Sequence, residues 1–362
     1  MSKRSQNYRK YFWIIGINAV LLLIGWLFVQ NPTVVDRYYS KGFYPYYSYL
    51  PAFLLDWLPF SFGDVFYVLA VLAIGFSIFQ LLKNAFRKQW SATKRASLRL
   101  VCLLFLLHNF FYLSWGLNYY RLTLYEQYDL DVADVSKEDY FQVLDSLVDR
   151  TNKLRAQLSE RPNWNQEDHQ RIQTEMMQLM RRDSTFSKIL SKKHIQIKQP
   201  FSSTAVSYFT VTGYFNPFTH EVQVNALIPS VGYPFTCVHE LAHQMGIGFE
   251  DECNFIAYQM LQNHPNPAFQ YSAHYEALQS FLQDLRYSDD ALFDRYMKQL
   301  NPEIIKDLKA EYAFWSNYRG PVDYISGIIY NRYLQHNNQP EGVLRYGMMN
   351  RLIIAWQKNK QL

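Results

Sequence analysis

Three runs of apolar residues fill most of the first third of the chain, and nothing of comparable length recurs after position 118. The first, Tyr11 to Val29, carries no charge, and neither does the second, Val65 to Leu82. The third, Leu98 to Gly116, has Arg99 at its edge and His108 near its middle. A bilayer crossing takes about 20 mostly apolar residues, so membrane-spanning helices are expected over about 11–29, 65–82 and 98–116. No small-residue cleavage site ends the first run, and Gln30, Asn31 and Pro32 follow it directly; it reads as a retained anchor, not a removed signal. His108 is ionisable at membrane depth, a position often functional, although a neutral imidazole at a helix interface is the plainer reading.

Past the runs the texture changes twice. Residues 137–160 and 165–183 repeat apolar positions at helical spacing, with Val143, Leu144, Leu147 and Leu154 on one face and a break at 163–165. From Phe201 to Ser230, β-branched and aromatic residues mix with Gly and Pro, which predicts one or two hairpins. Val222, Val224 and Ala226 alternate with Gln223 and Asn225 as in a half-buried strand. A helix is expected from about Thr236, after Pro234, and helices from there to the end, interrupted at Pro265, Pro267, Pro302, Gly320–Pro321 and Pro340. The fold class expected is three N-terminal transmembrane helices (residues 1–117) followed by a mainly helical α+β domain (118–362).

Charge orients this arrangement. Lys3, Arg4, Arg9 and Lys10 precede the first run, and Lys83, Arg87, Lys88, Lys94 and Arg95 lie between the second and third. The stretch 30–63 has only Arg37 and Lys41 beside acidic residues. Positive-inside bias then puts the N-terminus in the cytoplasm and 118–362 outside the cytoplasmic membrane, as a multi-pass protein. The net charge of +5 is largely accounted for by these flanks, which argues against nucleic acid as a partner and for the lipid bilayer. Three cysteines without a CxxC pair give neither a disulfide framework nor a cysteine-built metal site.

The chemistry lies in Val238-His239-Glu240-Leu241-Ala242-His243-Gln244-Met245-Gly246. On a helix, His239 and His243 stand one turn apart on one face, so both imidazoles reach one metal ion. Glu240 can then act as general base on a water in the metal's open position. The residue types point to one Zn²⁺ per chain. A third protein ligand is required. Phe249 stands where an HExxHxxGxxH protein has its third His, so the ligand is sought among Glu250, Asp251 and Glu252. Glu250 is the first choice and Glu252 the second, with Asp251 expected to meet solvent. Asn254, one turn after Glu250, is placed to orient a ligating imidazole, and Ala257 to allow close helix packing. Strand 221–226 is either an exposed edge that pairs with an extended peptide substrate or an ordinary core strand. Tyr346, Arg345 and His274 are the candidates for an oxyanion donor.

The membrane runs, HELAHQMG, the following EDECNFIAY and the late YNRYL…PEGVLRYGMMNRLI resemble, over nearly the whole chain, the bacterial family known as domain of unknown function 3810, from Bacteroidota. In that family the motif reads close to HELAHQ-x-G followed by E-x-EANF, so Cys253 stands here in place of a usual Ala. The resemblance implies an envelope protein with a zincin-like domain and supplies no substrate. Glu250-x-x-x-Asn254 also looks like the Glu-xxx-Asp ligand helix of gluzincin peptidases, with Asn for Asp, which favours Glu250 over Glu252.

The function expected is a membrane-anchored zinc metallopeptidase, a hydrolase of peptide or protein substrates in the cell envelope. The alternatives are a non-catalytic zincin-fold scaffold or sensor, a zinc amidase acting on cell wall and, last, a transporter component.

Overall fold

Apolar runs without Pro become long helices because every backbone group is paired within the segment itself. The computed structural model describes residues 3–190 and 194–361, the side chains of residues 3–7, 346 and 361 excepted. The chain forms two units, Met1–Arg121 with Asn216–His220, and Leu122–Phe215 with Glu221–Leu362. It is mostly helical, with three helices long and apolar enough to cross a membrane near its N-terminus.

In the first unit these are α1 (Lys3–Val29), α2 (Phe62–Phe86) and α3 (Trp90–Ser114). Their apolar side chains face outward, as at Phe12, Leu72 and Leu106, each more than half exposed. Polar side chains turn inward instead: Asn109 on α3 donates to Asn18 Oδ1 on α1 at 2.6 Å, and Arg99 Nε donates to the Tyr11 hydroxyl at 3.0 Å. The expected loop between the second and third runs is shorter than the sequence suggested. Only Arg87–Gln89 separate α2 from α3, with Lys88 at φ 53°, so Lys83, Lys94 and Arg95 sit on helix ends. The stretch after α1 is helical too, running through a wide turn at Val35–Phe43 in which the Tyr44 N–H reaches back five residues to the Tyr39 carbonyl.

The second unit starts its helices with side-chain caps. Ser136 and Asp139 box the start of α4 (Lys137–Gln157), and Asn165 and Asp168 box α5 (Gln166–Arg182), at the break expected there. Between Phe201 and Ser230, where one or two hairpins were expected, the structure has one, preceded by a helix that was not expected. Ser202 caps a short helix, α6 (Ser203–Tyr208), and a single hairpin follows. The sheet has the order β1 (Ile197–Lys198), β3 (Val222–Val224), β2 (Gly213–Phe215), with β3 parallel to β1 and antiparallel to β2. The edge-strand reading of 221–226 is therefore corrected: β3 is central, its main chain taken on both sides, and β2 is an edge. Lys198 and Glu221 form a buried ion pair at 2.7 Å between the parallel strands, an association that no local pattern announces.

The longer helices that follow are α7 (Tyr233–Gln244), α8 (Glu250–Leu261), α9 (Pro267–Ser288), α10 (Pro302–Ser316), α11 (Pro321–His336) and α12 (Met349–Gln361). Prolines that read as interruptions in the sequence are helix starts: α7, α9, α10 and α11 each carry Pro in the first turn, where the missing N–H costs nothing. The motif helix accordingly begins at Tyr233, with Pro234 inside it, ahead of the start expected near Thr236. Every residue of α7 is buried, packed by α5, α8, α9 and strands β2 and β3. Ala242 and Ala257 are fully buried where α7 and α8 meet, and Val238, Leu241, Phe255 and Ile256 join the same core.

Candidate metal centre

The end of α7 shapes the site. Gly246 adopts φ 97°, which only glycine takes without strain. The Gly246 N–H then bonds the His243 carbonyl at 3.0 Å, and the Ile247 N–H the Ala242 carbonyl at 3.1 Å. This Schellman closure turns the chain back beside the last helical turn, where the Ile247 carbonyl accepts from Nδ1 of His243 at 2.8 Å. Three residues after Ile247, at Glu250, α8 begins. Buried Gln339 clamps the connection, accepting from the Glu250 N–H and donating to the Gly248 carbonyl.

Glu250, Asp251 and Glu252 open α8, about 100° apart around its axis, and each goes to a different partner. Oε2 of Glu250 lies 3.2 Å from Nε2 of His239 and 3.4 Å from Nε2 of His243. Asp251 is buried and pairs with Arg345 at 2.6 Å, the guanidinium also stacking 4.2 Å over the Phe249 ring. The expectation that Asp251 meets solvent is corrected, because Arg345, 94 residues away, supplies the counter-charge. Glu252 is turned to the Leu124 N–H at 2.6 Å, where it accepts from the start of a short helix. Of the two carboxylates the residues left open, Glu250 is the one beside both imidazoles; Glu252 is committed elsewhere.

The back of each imidazole is held. Nδ1 of His239 meets Oδ1 of Asn254 at 2.7 Å, the contact expected from the Glu250–Asn254 spacing. For His243 the acceptor is a carbonyl, so its Nδ1 carries the hydrogen and its Nε2 bears a lone pair. That lone pair is directed at a carboxylate oxygen which is itself buried and accepts no other hydrogen bond. Such an approach requires a positive charge between the atoms, either a proton or a metal ion. Burial disfavours charge on both groups, yet their neighbours outweigh it: Cys253 and Glu250 hold His243 well above the usual imidazole range, and His243 and His239 hold Glu250 well below the usual carboxylate range. Ligands about 2.0–2.1 Å from a tetrahedral zinc ion lie about 3.3 Å apart, close to the 3.2 and 3.4 Å between the Glu250 oxygen and the two imidazole nitrogens. The donor set fits a zinc-sized cation.

His239, His243 and Cys253 also cluster closely enough to be considered together as ligands. The Cys253 sulfur, however, approaches Nδ1 of His243, at 3.3 Å, on the side already bonded to Ile247. Burial pushes its thiol up to about 12, so it stays protonated. Glu250 is the better third donor.

Glu240 is buried beside the pair, and burial raises its pKa, partly offset by the two histidines. Gly213 on edge strand β2 lies against it: a Cβ there would stand 2.7 Å from Glu240 Cγ. Among the oxyanion candidates, Arg345 is taken by Asp251. His274 lies in a separate cleft with Tyr258 and Arg150, its Nδ1 bonded to the Gln270 carbonyl. The side chain of Tyr346 lies outside the described residues. Instead Tyr330, on α11, donates to Oε1 of Glu250 at 2.8 Å, which orients the other oxygen toward the histidines. Tyr330 and Gln339 escaped the sequence reading, being 80 and 89 residues from Glu250. The only available signal was their lying in or near the late YNRYL stretch.

Fold and site define a mostly helical chain with three potential membrane spans and a buried His–His–Glu cluster on two closely packed helices. The family model described as "Protein of unknown function (DUF3810)" matches residues 39–354, and the chain belongs to that family. No curated protein matches the chain, and no solved structure does.

Proposed function

We propose that this protein is a zinc-dependent metallopeptidase anchored in the bacterial cytoplasmic membrane by α1, α2 and α3, with a zincin-like second unit outside the cytoplasm that cleaves peptide bonds of envelope substrates. The reading rests on one observation: two imidazoles with occupied Nδ1 positions present Nε2 to the same buried carboxylate oxygen. His239, His243 and Glu250 would hold the ion, and Asn254, the Ile247 carbonyl and Tyr330 keep those three in orientation. When bound, zinc supplies Lewis acidity to a water and to the scissile carbonyl. Glu240 would serve as the base toward a water molecule there and return the proton to the leaving amine, a role that its raised pKa suits. β2, which ends the sheet and runs past Glu240 at Gly213, is the strand beside which an extended peptide would align. Basic residues at the start of α1 and around the α2–α3 turn support the cytoplasmic assignment of those ends.

The test compares full-length wild type with Glu240→Gln in metal content and in hydrolysis of a quenched-fluorescence peptide library. Zinc in both with hydrolysis only in wild type supports the proposal. Zinc without hydrolysis in either favours a scaffold or sensor, and hydrolysis retained by Glu240→Gln refutes the role given to that residue.

A further inference from the structure

Helix α11 carries Tyr330 to the site on one face, and the apolar side chains of its other face are exposed among the described residues. Of its 16 residues only Leu334 is buried. Ser326 Oγ contacts the Phe209 carbonyl, Tyr330 meets Glu250, and Asn331 accepts from the Val343 N–H, so the inner face is accounted for. Opposite it, Val322, Tyr324, Ile325, Ile328 and Ile329 are exposed, Tyr324 at 71% and Ile329 at 64%. The one charge in this half of the helix, Asp323, accepts from the Gly320 N–H and is thereby held at the helix start. On this outer face polar residues begin only later, with Arg332, Gln335 and His336. The helix is thus divided along its length, with an apolar first half and a polar second half.

An apolar surface of this kind on a soluble domain marks a place that something covers. A peptide substrate fits poorly, because a helix face is convex and offers no groove. The chain itself indicates a different occupant. It passes directly from the first unit to the second at 121/122, 215/216 and 220/221. Residues 115–121, all that connect the last residue of α3 to Leu122, reach at most about 25 Å even if fully extended. A domain tied this closely to a membrane span has the bilayer as its nearest apolar phase.

We propose that the first half of α11 enters the lipid interface of the membrane that holds α1–α3, with Tyr324 at headgroup depth and Ile325, Ile328 and Ile329 among the acyl chains. The inference rests on the membrane reading above and is independent of the metal. One consequence concerns substrates: a site walled by a lipid-embedded helix opens at the membrane surface and meets segments presented there.

The test uses the full chain in vesicles of phosphatidylethanolamine and phosphatidylglycerol. In a Cys102→Ser background, nitroxide labels are placed singly at Ile325→Cys, Ile328→Cys, Gln335→Cys and, within α1, Leu21→Cys. Relaxation by oxygen is compared with relaxation by a water-soluble nickel chelate. The labels at 325 and 328 are expected to favour oxygen several-fold more than the label at 335, as the label at 21 does. If the 21 label is lipidic while 325 and 328 respond to nickel like 335, this inference fails and the anchoring stands. If the 21 label is itself aqueous, both fail. Labels at 325 and 328 shielded from both reagents also overturn it, with spin–spin broadening that vanishes on dilution by unlabelled protein identifying a second copy as the cover.

Discussion

Substituting Gly213 by alanine tests the geometry of the proposed base without touching a proposed ligand. The added Cβ would lie 2.7 Å from Glu240 Cγ, 3.0 Å from Glu240 Oε1 and 3.0 Å from the Gln223 carbonyl oxygen. That carbonyl belongs to the central strand and cannot retreat without disturbing the β2–β3 pairing. The side chain of Glu240 must therefore move, by about 0.7 Å before the Cγ contact becomes ordinary. Misplacing a reacting group by about 1 Å can cost about a hundredfold in rate, so Gly213→Ala is expected to lower peptide turnover by roughly ten- to a hundredfold, or about 1.4–2.7 kcal/mol of barrier. Overpacking of this kind also costs about 1–3 kcal/mol of stability. None of the three contacted atoms belongs to His239, His243 or Glu250, so zinc content should not change. The assay pairs peptide-library turnover with metal analysis of the same preparation. Turnover equal to wild type, or loss of zinc together with turnover, would refute the placement of Glu240 beside β2 as the reacting base.

Two further outcomes follow from single contacts. Asn254→Ala removes the partner of His239 Nδ1 and should weaken zinc binding by about ten- to a hundredfold in a chelator competition; unchanged affinity would show that the hydrogen bond does not orient the ring. The second concerns acid stability. Burial holds His274 at about 4, below the ordinary 6.5. Between those values the unfolded chain binds a proton that the folded chain does not, so stability falls as pH drops through this window and is unaffected above it. The effect is about 2 kcal/mol near pH 5, and His274→Gln should flatten that part of the pH–stability curve in denaturant titrations. An unaltered acid limb would mean that His274 is not held neutral.

The three helices long and apolar enough to cross a membrane, and α4 and α5 of the second unit, were legible because local signals specify them: apolar length for α1–α3, and Ser136–Asp139 and Asn165–Asp168 for α4 and α5. Prolines misled about helix starts because Pro is compatible with both a break and a first turn, and sequence alone does not separate the two. The sheet order escaped for a different reason. β1 is two residues long, and its parallel pairing to β3 rests on a Lys198–Glu221 contact across more than twenty positions. At the site, His239 with His243 on α7, and Glu250 with Asn254 on α8, could be paired in advance because helical spacing puts each pair on one face, whereas only the tertiary structure separates Glu250 from Glu252. Tyr330, Gln339 and Arg345 act on the same short stretch through tertiary contacts alone, and no periodicity connects them to it.

The central claim is that two imidazoles and the Glu250 carboxylate hold a zinc ion. X-ray absorption at the zinc edge of the purified full-length protein tests it most directly. The expected spectrum, at one zinc per chain, shows only nitrogen and oxygen scatterers at about 2.0–2.1 Å, two of them imidazole, with no sulfur near 2.3 Å. A sulfur shell at that distance would give the third position to Cys253, and a protein that retains no zinc would leave His243 and Glu250 as a buried ion pair and end the metal assignment.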